Sequence, residues 1–299
     1  MPDKENYGET FKAVRSSKNF NQSKVHAEIM HQTSYSKFEL GKIEITFNKF
    51  EKLLENIEMN FDEFSFIHHS YSYSPRNSII MDFNNLKFID EFVIQELVSK
   101  ATAYLKNHDD HQIEDILNVL HALLSIKRDN NFQQAKFYAE KVWQRLQNLN
   151  TWYFSEIRLV NNILFLFPIE TAITIAKFAI EQGNKYEKHI QYKPLILPFK
   201  YNLVHLLMRE GYLENAYKIN EEIIQDFKKQ KSYVQIALCY IRKGCLEKQL
   251  DIFSEKDYIQ QAYRIADTLE DENLKRQLQS EADYLSNLFS TVPVIETKQ

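Results

Sequence analysis

The chain has 299 residues, 44% of them hydrophobic, and a formal net charge of -4. It is long enough for about two domains and too apolar for wholesale disorder, and its charge leaves nucleic-acid binding only to a local basic face. With 5 glycines and 6 prolines it favours long helices over a turn-rich β protein, and it has no apolar run of about 18 residues to span a membrane.

The opening, MPDKENYGET, lacks the apolar core of a secretion signal. From Tyr7 to Ser17, Tyr7, Phe11 and Val14 fall at i, i+4 and i+7, one buried stripe of a first helix. Asn19-Phe20-Asn21 interrupts it, and Asn21 is the expected N-cap of a second helix, Gln22 to Glu28. Val25 and Ile29 face inward there, and Ala27 is small enough for close packing. Met30-His31 makes a short turn into a third helix, Gln32 to Leu40, with Tyr35 and Phe38 inward and Gly41 as its stop. A fourth helix, Phe47 to Ile57, is capped by Thr46 and turns Phe47, Phe50, Leu53 and Leu54 to the core; a fifth carries Phe61, Phe64 and Ile67.

Five short helices, with the second and third joined tightly, resemble the repressor-type (XRE) helix-turn-helix, in which the third helix enters the major groove of DNA. The outward residues of that helix are Gln32, Thr33, Ser34, Ser36 and Lys37. The resemblance puts Gln32, Thr33 and Lys37 at base-reading positions, since Gln can pair bidentately with adenine and Lys reaches guanine O6 and N7. Ser34 and Ser36 suit phosphate or solvent, and Gln22, at the start of the second helix, suits a phosphate. Arg15 and Glu39 match a structural ion pair of this fold. The bland alternative is a small helical bundle, which would show the same inward aromatics. Nearby lysines are offset by Glu9, Glu28 and Glu44, so a dimer reading two half-sites is expected.

His68 to Arg76 reads HHSYSYSPR, unlike the text on either side, and residues 68–84 are expected to connect two domains, with His68-His69 as a solvated linker end. From Leu86 onward, apolar residues recur at helical spacing, and the unit Ala-x-x-(Tyr/Ile)-(Ala/Asn) appears at Ala135, Ala172, Ala216 and Ala262, in steps of 37, 44 and 46 residues. Periods of this size signal stacked helix pairs of the tetratricopeptide type, whose concave face takes extended peptides. His108-Asp109-Asp110-His111 falls at an inter-helix turn in a solvated run, and neither it nor any other stretch has metal-ligand, phosphate-loop or nucleophile spacing. No catalysis, metal or cofactor is therefore expected.

Residues 152–167, WYFSEIRLVNNILFLF, are strongly apolar yet carry Arg158, Asn161 and Asn162. Arg158 and Asn161 are one turn apart and share a face. They can hold a peptide carboxylate or amides, as a guanidinium matches carboxylate geometry; the alternative is an internal salt bridge from Arg158 to a neighbouring acid. Asn202 is a second polar residue on an apolar helix with the same two readings. Most of the abundant Tyr and Phe must be core, although Tyr153, Tyr192, Phe199 and Tyr201 lie near helix starts where they could line a pocket. Cys239 and Cys245 point different ways on a helix and cannot pair within the chain, which fits reduced thiols in a cytoplasmic protein.

Three stretches together resemble the Rgg/GadR/MutR transcriptional regulators of Gram-positive bacteria, over residues 7 to 285 or so. They are Tyr7-Gly8-Glu9-Thr10-Phe11-Lys12-x-x-Arg15, Ser36-Lys37-Phe38-Glu39-x-Gly41-Lys42 and Ile157-Arg158-Leu159-x-Asn161-Asn162-Ile163-Leu164-Phe165-Leu166-Phe167. The chain departs from the usual pattern at Lys37, where Arg is common, and in Glu28-Ile29-Met30-His31, which lacks a glycine. The resemblance implies a homodimer whose repeat domain dimerises and binds ligand. Many members are receptors for short hydrophobic pheromone peptides, which makes Arg158 and Asn161 the leading peptide contacts, with Asn162 and Asn202 behind them.

The expected architecture is all-α: a helix-turn-helix domain over 1–67, a linker over 68–84 and a tetratricopeptide-like solenoid over 85–299. The expected function is peptide-controlled transcription regulation on duplex DNA, with no membrane partner. A ligand-independent dimeric regulator and a repeat-domain interaction adaptor are the alternatives.

Overall fold

The structure is a computed structural model that describes residues 6–86, 90–186, 188 and 196–291. Every regular element among the described residues is helical. The chain divides into two compact units, Met1–Asn85 and Leu86–Gln299.

In the first unit, α1 (Tyr7–Ser17) is capped by Asn6, whose side chain accepts from the Gly8 N–H at 2.8 Å. α2 spans Gln22–His26, α3 Gln32–Glu39, α4 Phe47–Asn56 and α5 Phe61–His68. Phe11, Val25, Tyr35, Phe38, Phe50, Leu53, Leu54, Ile57 and Phe64 form one core. Phe50 meets Phe64 edge to face at 5.0 Å, and Phe11 meets Tyr35 likewise, the arrangement that ring quadrupoles favour. The third helix ends as expected, with Gly41 in the left-handed region at φ +66°.

The structure departs from the expected elements in several places. α2 stops at His26 because Ala27 is extended and Glu28 takes φ +64°, which leaves Ala27 exposed instead of packed. Asn21 and Thr46 occupy the cap positions of α2 and α4 without a side-chain capping bond. Phe47 is 56% exposed: it is the first residue of α4 and pairs with Phe61 at 5.7 Å, while Phe50, one turn on, fills the core. Within the stretch expected to be a linker, Pro75–Asn84 forms α6, with the Ser74 Oγ accepting from the Asn77 N–H and Pro75 in the first turn. Ser-Pro is a helix-start signal, since proline has no N–H to leave unsatisfied there. His68 is not a solvated end either; its Nδ1 lies 2.9 Å from the Thr10 hydroxyl and its ring sits edge-on to Tyr7 at 4.4 Å.

The second unit runs through α7 (Glu91–Leu105), α8 (His111–Asp129), α9 (Phe132–Leu146), α10 (Phe154–Ile163), a 3₁₀ turn (Leu164–Leu166), α11 (Ile169–Asn184), α12 (Ile196–Arg209), α13 (Leu213–Lys229), α14 (Tyr233–Gln249), α15 (Tyr258–Thr268) and α16 (Glu272–Thr291). Consecutive helices pack on one another, most extensively α8 on α9, α12 on α13 and α14 on α15. The recurring small residues fall on α9, α11, α13 and α15, and Ala135, Ala139, Ala172, Ala176, Ala216, Ala262 and Ala266 are all buried. Small side chains at those positions let neighbouring helices approach closely. Asn220 holds the second small position in α13; it is fully buried and donates to the Cys239 carbonyl at 3.0 Å. Cys239 and Cys245 are buried free thiols, and burial pushes them up to about 12 and about 11, so neither is a ready nucleophile.

Candidate DNA-reading face and candidate peptide site

The third helix of the first unit is held from beneath by a buried polar knot. Arg15 on α1 donates through Nε to Glu39 Oε1 at 2.5 Å and through Nη2 to Oε2 at 3.1 Å. Its Nη1 donates to the Phe20 carbonyl at 2.6 Å, fixing the chain between α1 and α2. Glu39 also accepts from the Tyr35 hydroxyl and from Gln22 Nε2, each at 2.6 Å. Burial alone would push the Glu39 carboxyl up, but hydrogen bonds from Arg15, Tyr35 and Gln22 outweigh it and hold its pKa below the ordinary value. The Arg15 guanidinium is correspondingly raised, chiefly by its hydrogen bond to Glu39. α1 comes so close to α3 that a Cβ on Gly8 would lie 1.7 Å from the Phe38 carbonyl oxygen, so only glycine fits.

Above this knot, Gln32, Thr33 and Lys37 are exposed on α3, and Ser34 and Ser36 are half-buried. Gln22, expected at a phosphate, instead turns its amide inward to Glu39, and its Oε1 accepts from Gln32 Nε2 at 3.2 Å. Gln32 Nε2 also lies 3.2 Å from Ser36 Oγ. Asn56 Nδ2 donates to the Val25 carbonyl at 2.8 Å and ties α2 to α4. The roles of Gln22, Gln32 and Asn56 in this scaffold carry no periodic signal; the sequence trace is only that glutamine opens both α2 and α3.

In the second unit the structure brings Asn161 and Asn202 together. Asn202 Nδ2, on α12, donates to Asn161 Oδ1 at 3.0 Å and reaches its carbonyl at 3.3 Å. Arg158, one turn before Asn161 on α10, is half-buried with its guanidinium 5.2 Å from the centre of the Phe154 ring. Burial lowers its pKa from the ordinary arginine value. Asn162 turns back along its own helix and donates to the Arg158 carbonyl at 2.9 Å. Glu156, the acid on the same helix, is engaged with the Tyr153 N–H at 3.0 Å and Ser155 at 2.9 Å. Of the four aromatics near helix starts, Phe199 is core at 1% exposed, Tyr153 is exposed, and Tyr192 lies outside the described residues.

Tyr201 leads to a cluster that sequence reasoning missed. The Arg242 guanidinium on α14, 3% exposed, stacks on the Tyr201 ring at 3.6 Å. It donates to the Tyr201 carbonyl and to Glu281 Oε1 on α16, both at 2.7 Å. His205 stacks on Tyr284 at 5.3 Å, and burial pushes its pKa down to about 4, with Arg242 and Arg209 adding to the effect and Glu281 opposing it. The trace in the sequence is a charged pair, Arg242-Lys243, directly after the apolar run Ile236-Ala237-Leu238-Cys239-Tyr240-Ile241.

The His108–His111 run serves the helix turn. Asp110 caps α8 by accepting from the Gln112 and Ile113 N–H groups, and His108 stacks on Tyr104 at 4.2 Å. No group of three or more potential metal ligands occurs among the described residues, and no described helix is long and apolar enough to cross a membrane.

Comparison with known proteins assigns the chain to a family. The family model for the C-terminal domain of the HTH-type transcriptional regulator Rgg matches residues 95–280. Among solved structures, a Listeria monocytogenes EGD-e protein assigned as a transcriptional regulator superposes with a TM-score of 0.73 at 23% identity, covering 95% of this chain and 97% of that one. The Streptococcus dysgalactiae SHP pheromone receptor Rgg2 does so at 0.70 and 16% identity, covering 93% and 99%. Bacillus thuringiensis PlcR, solved with the peptide PapR7 and DNA, gives 0.66 and 16% identity, covering 92% and 99%. The chain belongs to the HTH-type transcriptional regulator Rgg family, and it is a regulator of transcription, not an enzyme.

Proposed function

We propose that this regulator acts in the cytoplasm as a homodimer, reading two DNA half-sites through α3 and answering to a short hydrophobic peptide held by its repeat unit. In this reading Gln32, Thr33 and Lys37 meet bases, and Ser34 and Ser36 meet phosphate or solvent. Gln22 supports the reading helix. Arg158 and Asn161 lead the peptide contacts, with Asn202 beside them and Asn162 behind. The DNA-reading function lies within residues 1–67 and the ligand and dimer functions within 85–299. The observation that carries the ligand half is the meeting of Asn202 with Asn161 across α12 and α10, one turn from the Arg158 cation. These polar groups sit among the buried apolar positions Ile157, Val160 and Leu203, and they suit a peptide backbone and a carboxylate. Support also comes from the relatives: Rgg2 is a pheromone receptor, and PlcR was crystallised with both peptide and DNA. Peptide acts by shifting an existing equilibrium, so it must bind two states with different affinity.

Native mass spectrometry after exposure to small peptides from spent culture medium tests this, with Arg158→Ala in parallel. A dimer that gains a discrete peptide mass, lost in the variant, is expected. A dimer without adduct returns the ligand-independent regulator. Absence of salt-weakened binding to any duplex returns the adaptor, because phosphate contacts must weaken as salt rises.

A further inference from the structure

The buried ion pair under α3 dictates which end of the Gln32 amide faces outward. Glu39 is ionised and accepts only, and its Oε2 lies 2.6 Å from the Gln22 amide. An amide oxygen there would face a carboxylate oxygen, so Gln22 must present its nitrogen to Glu39 and its oxygen to the other side. That oxygen lies 3.2 Å from the Gln32 amide. By the same argument Gln32 must present its nitrogen to Gln22, and the same nitrogen lies 3.2 Å from Ser36 Oγ. Both hydrogens of Gln32 Nε2 are thereby engaged within the protein, and Oε1 is the atom left for a ligand.

We infer that Gln32 reads DNA as a hydrogen-bond acceptor only, selecting adenine or cytosine through their amino groups and not pairing bidentately with adenine. In the major groove an acceptor is matched by adenine N6 or cytosine N4, whereas guanine and thymine offer only acceptors at N7, O6 and O4. A bidentate adenine contact needs a second hydrogen, from Nε2 to N7, and in this unit that nitrogen is held by Gln22 and Ser36. Gln22 is therefore a positioning residue: it transmits the sign of the Glu39 charge to the base-reading amide without touching the base. The inference rests on the proposed DNA-reading role of α3.

The test begins with selection of retained sequences from a pool of duplexes with a randomised segment, using the full-length protein. The column whose preference disappears in Gln32→Ala marks the base under Gln32. With adenine in that column, two analogues separate the readings: purine deoxynucleoside, which lacks the N6 amino group, and 7-deazaadenine, which lacks N7. Removal of the amino group is expected to weaken wild-type binding about tenfold and to leave Gln32→Ala unchanged. Removal of N7 is expected to leave the wild type unchanged but to weaken Gln22→Met, whose Gln32 amide is free to donate. Equal sensitivity to both analogues in the wild type, or to neither, overturns the inference even if Gln22→Met fails to fold, and so does a folded Gln22→Met that behaves as the wild type. No retained sequence from a protein folded by circular dichroism overturns the DNA-reading role itself, and the inference with it.

Discussion

Replacing Glu39 with Gln is the sharpest test of how the reading helix is held. The carboxylate accepts from Arg15 at 2.5 and 3.1 Å, from Tyr35 at 2.6 Å and from Gln22 at 2.6 Å. An amide of the same shape offers one oxygen in place of two and turns an NH₂ toward these donors, and Arg15, 8% exposed, loses its countercharge. Breaking a buried pair from one side costs about 3–5 kcal/mol. At roughly 0.05–0.15 kcal/mol per residue, a unit of this size has only about 4–12 kcal/mol to lose. Even the low figure should depress the melting temperature of the unit by roughly 12–24 °C. Hydrogen exchange across α1–α5 as a function of temperature reads this directly. The two tryptophans, Trp143 and Trp152, both lie in the second unit, so their fluorescence serves as the internal reference. An Arg15→Met/Glu39→Leu double variant should recover part of the loss, since a packed apolar pair avoids the cost of burying charge while the buried Tyr35 hydroxyl is left without its acceptor. A Glu39→Gln protein melting within about 2 °C of the wild type, or a double variant as unstable as the single one, would refute the reasoning.

Three further outcomes are expected. Gly8→Ala should destabilise the first unit by about 3 kcal/mol or more, measured by urea unfolding, because its Cβ would overlap the Phe38 carbonyl at 1.7 Å; a neutral result would mean that α1 and α3 are not so closely apposed. Asn220→Ala restores the repeat's alanine: it removes the bond to the Cys239 carbonyl and also Asn220 Oδ1, a buried acceptor without a partner among the described residues. A lost hydrogen bond of about 0.5–1.5 kcal/mol then works against the relief of about 1–3 kcal/mol, so the outcome should lie between a loss of about 0.5 kcal/mol and a gain of about 2.5 kcal/mol, and a larger drop would show that the amide is a net support. The units should also respond to acid in different windows. Glu39 has a lowered folded pKa, so its contribution is present above the unfolded value of about 4.3 and is lost as pH falls through the folded one. His205, lowered to about 4, opposes folding once the unfolded chain takes up its proton, so the second unit should weaken already between about pH 6.5 and 4. Hydrogen exchange at stepped pH distinguishes the two, and loss of the first unit at the higher pH would contradict the assignment.

Helix positions were legible in the sequence because burial repeats with the helical period. Phe11 and Val14, Tyr35 and Phe38, and the alanines of α9, α11, α13 and α15 all lie where their spacing puts them. Failures came where one residue's backbone outweighed the pattern. Glu28 in the left-handed region ended α2 early, and Ser74-Pro75 began a helix inside a stretch whose Ser/Tyr alternation suggested none. Polar residues showed a similar limit. The Arg15–Glu39 pair was legible only through resemblance, and Arg242 with Glu281, 39 positions apart, was not legible at all.

By itself, then, the sequence determined that the chain is helical, where the five helices of the DNA-reading unit lie to within a few residues, and that Gln32 and Lys37 face outward while Arg158 and Asn161 share a helix face. These properties depend on neighbours within a turn or two, and the side chains themselves encode them. The tertiary structure decided which way the amides of Gln22 and Gln32 point, that Asn202 closes on Asn161, and that Gly8 admits no side chain. Each of these follows from distances between segments remote in the chain, and a hydrogen bond's direction is set only when donor and acceptor meet.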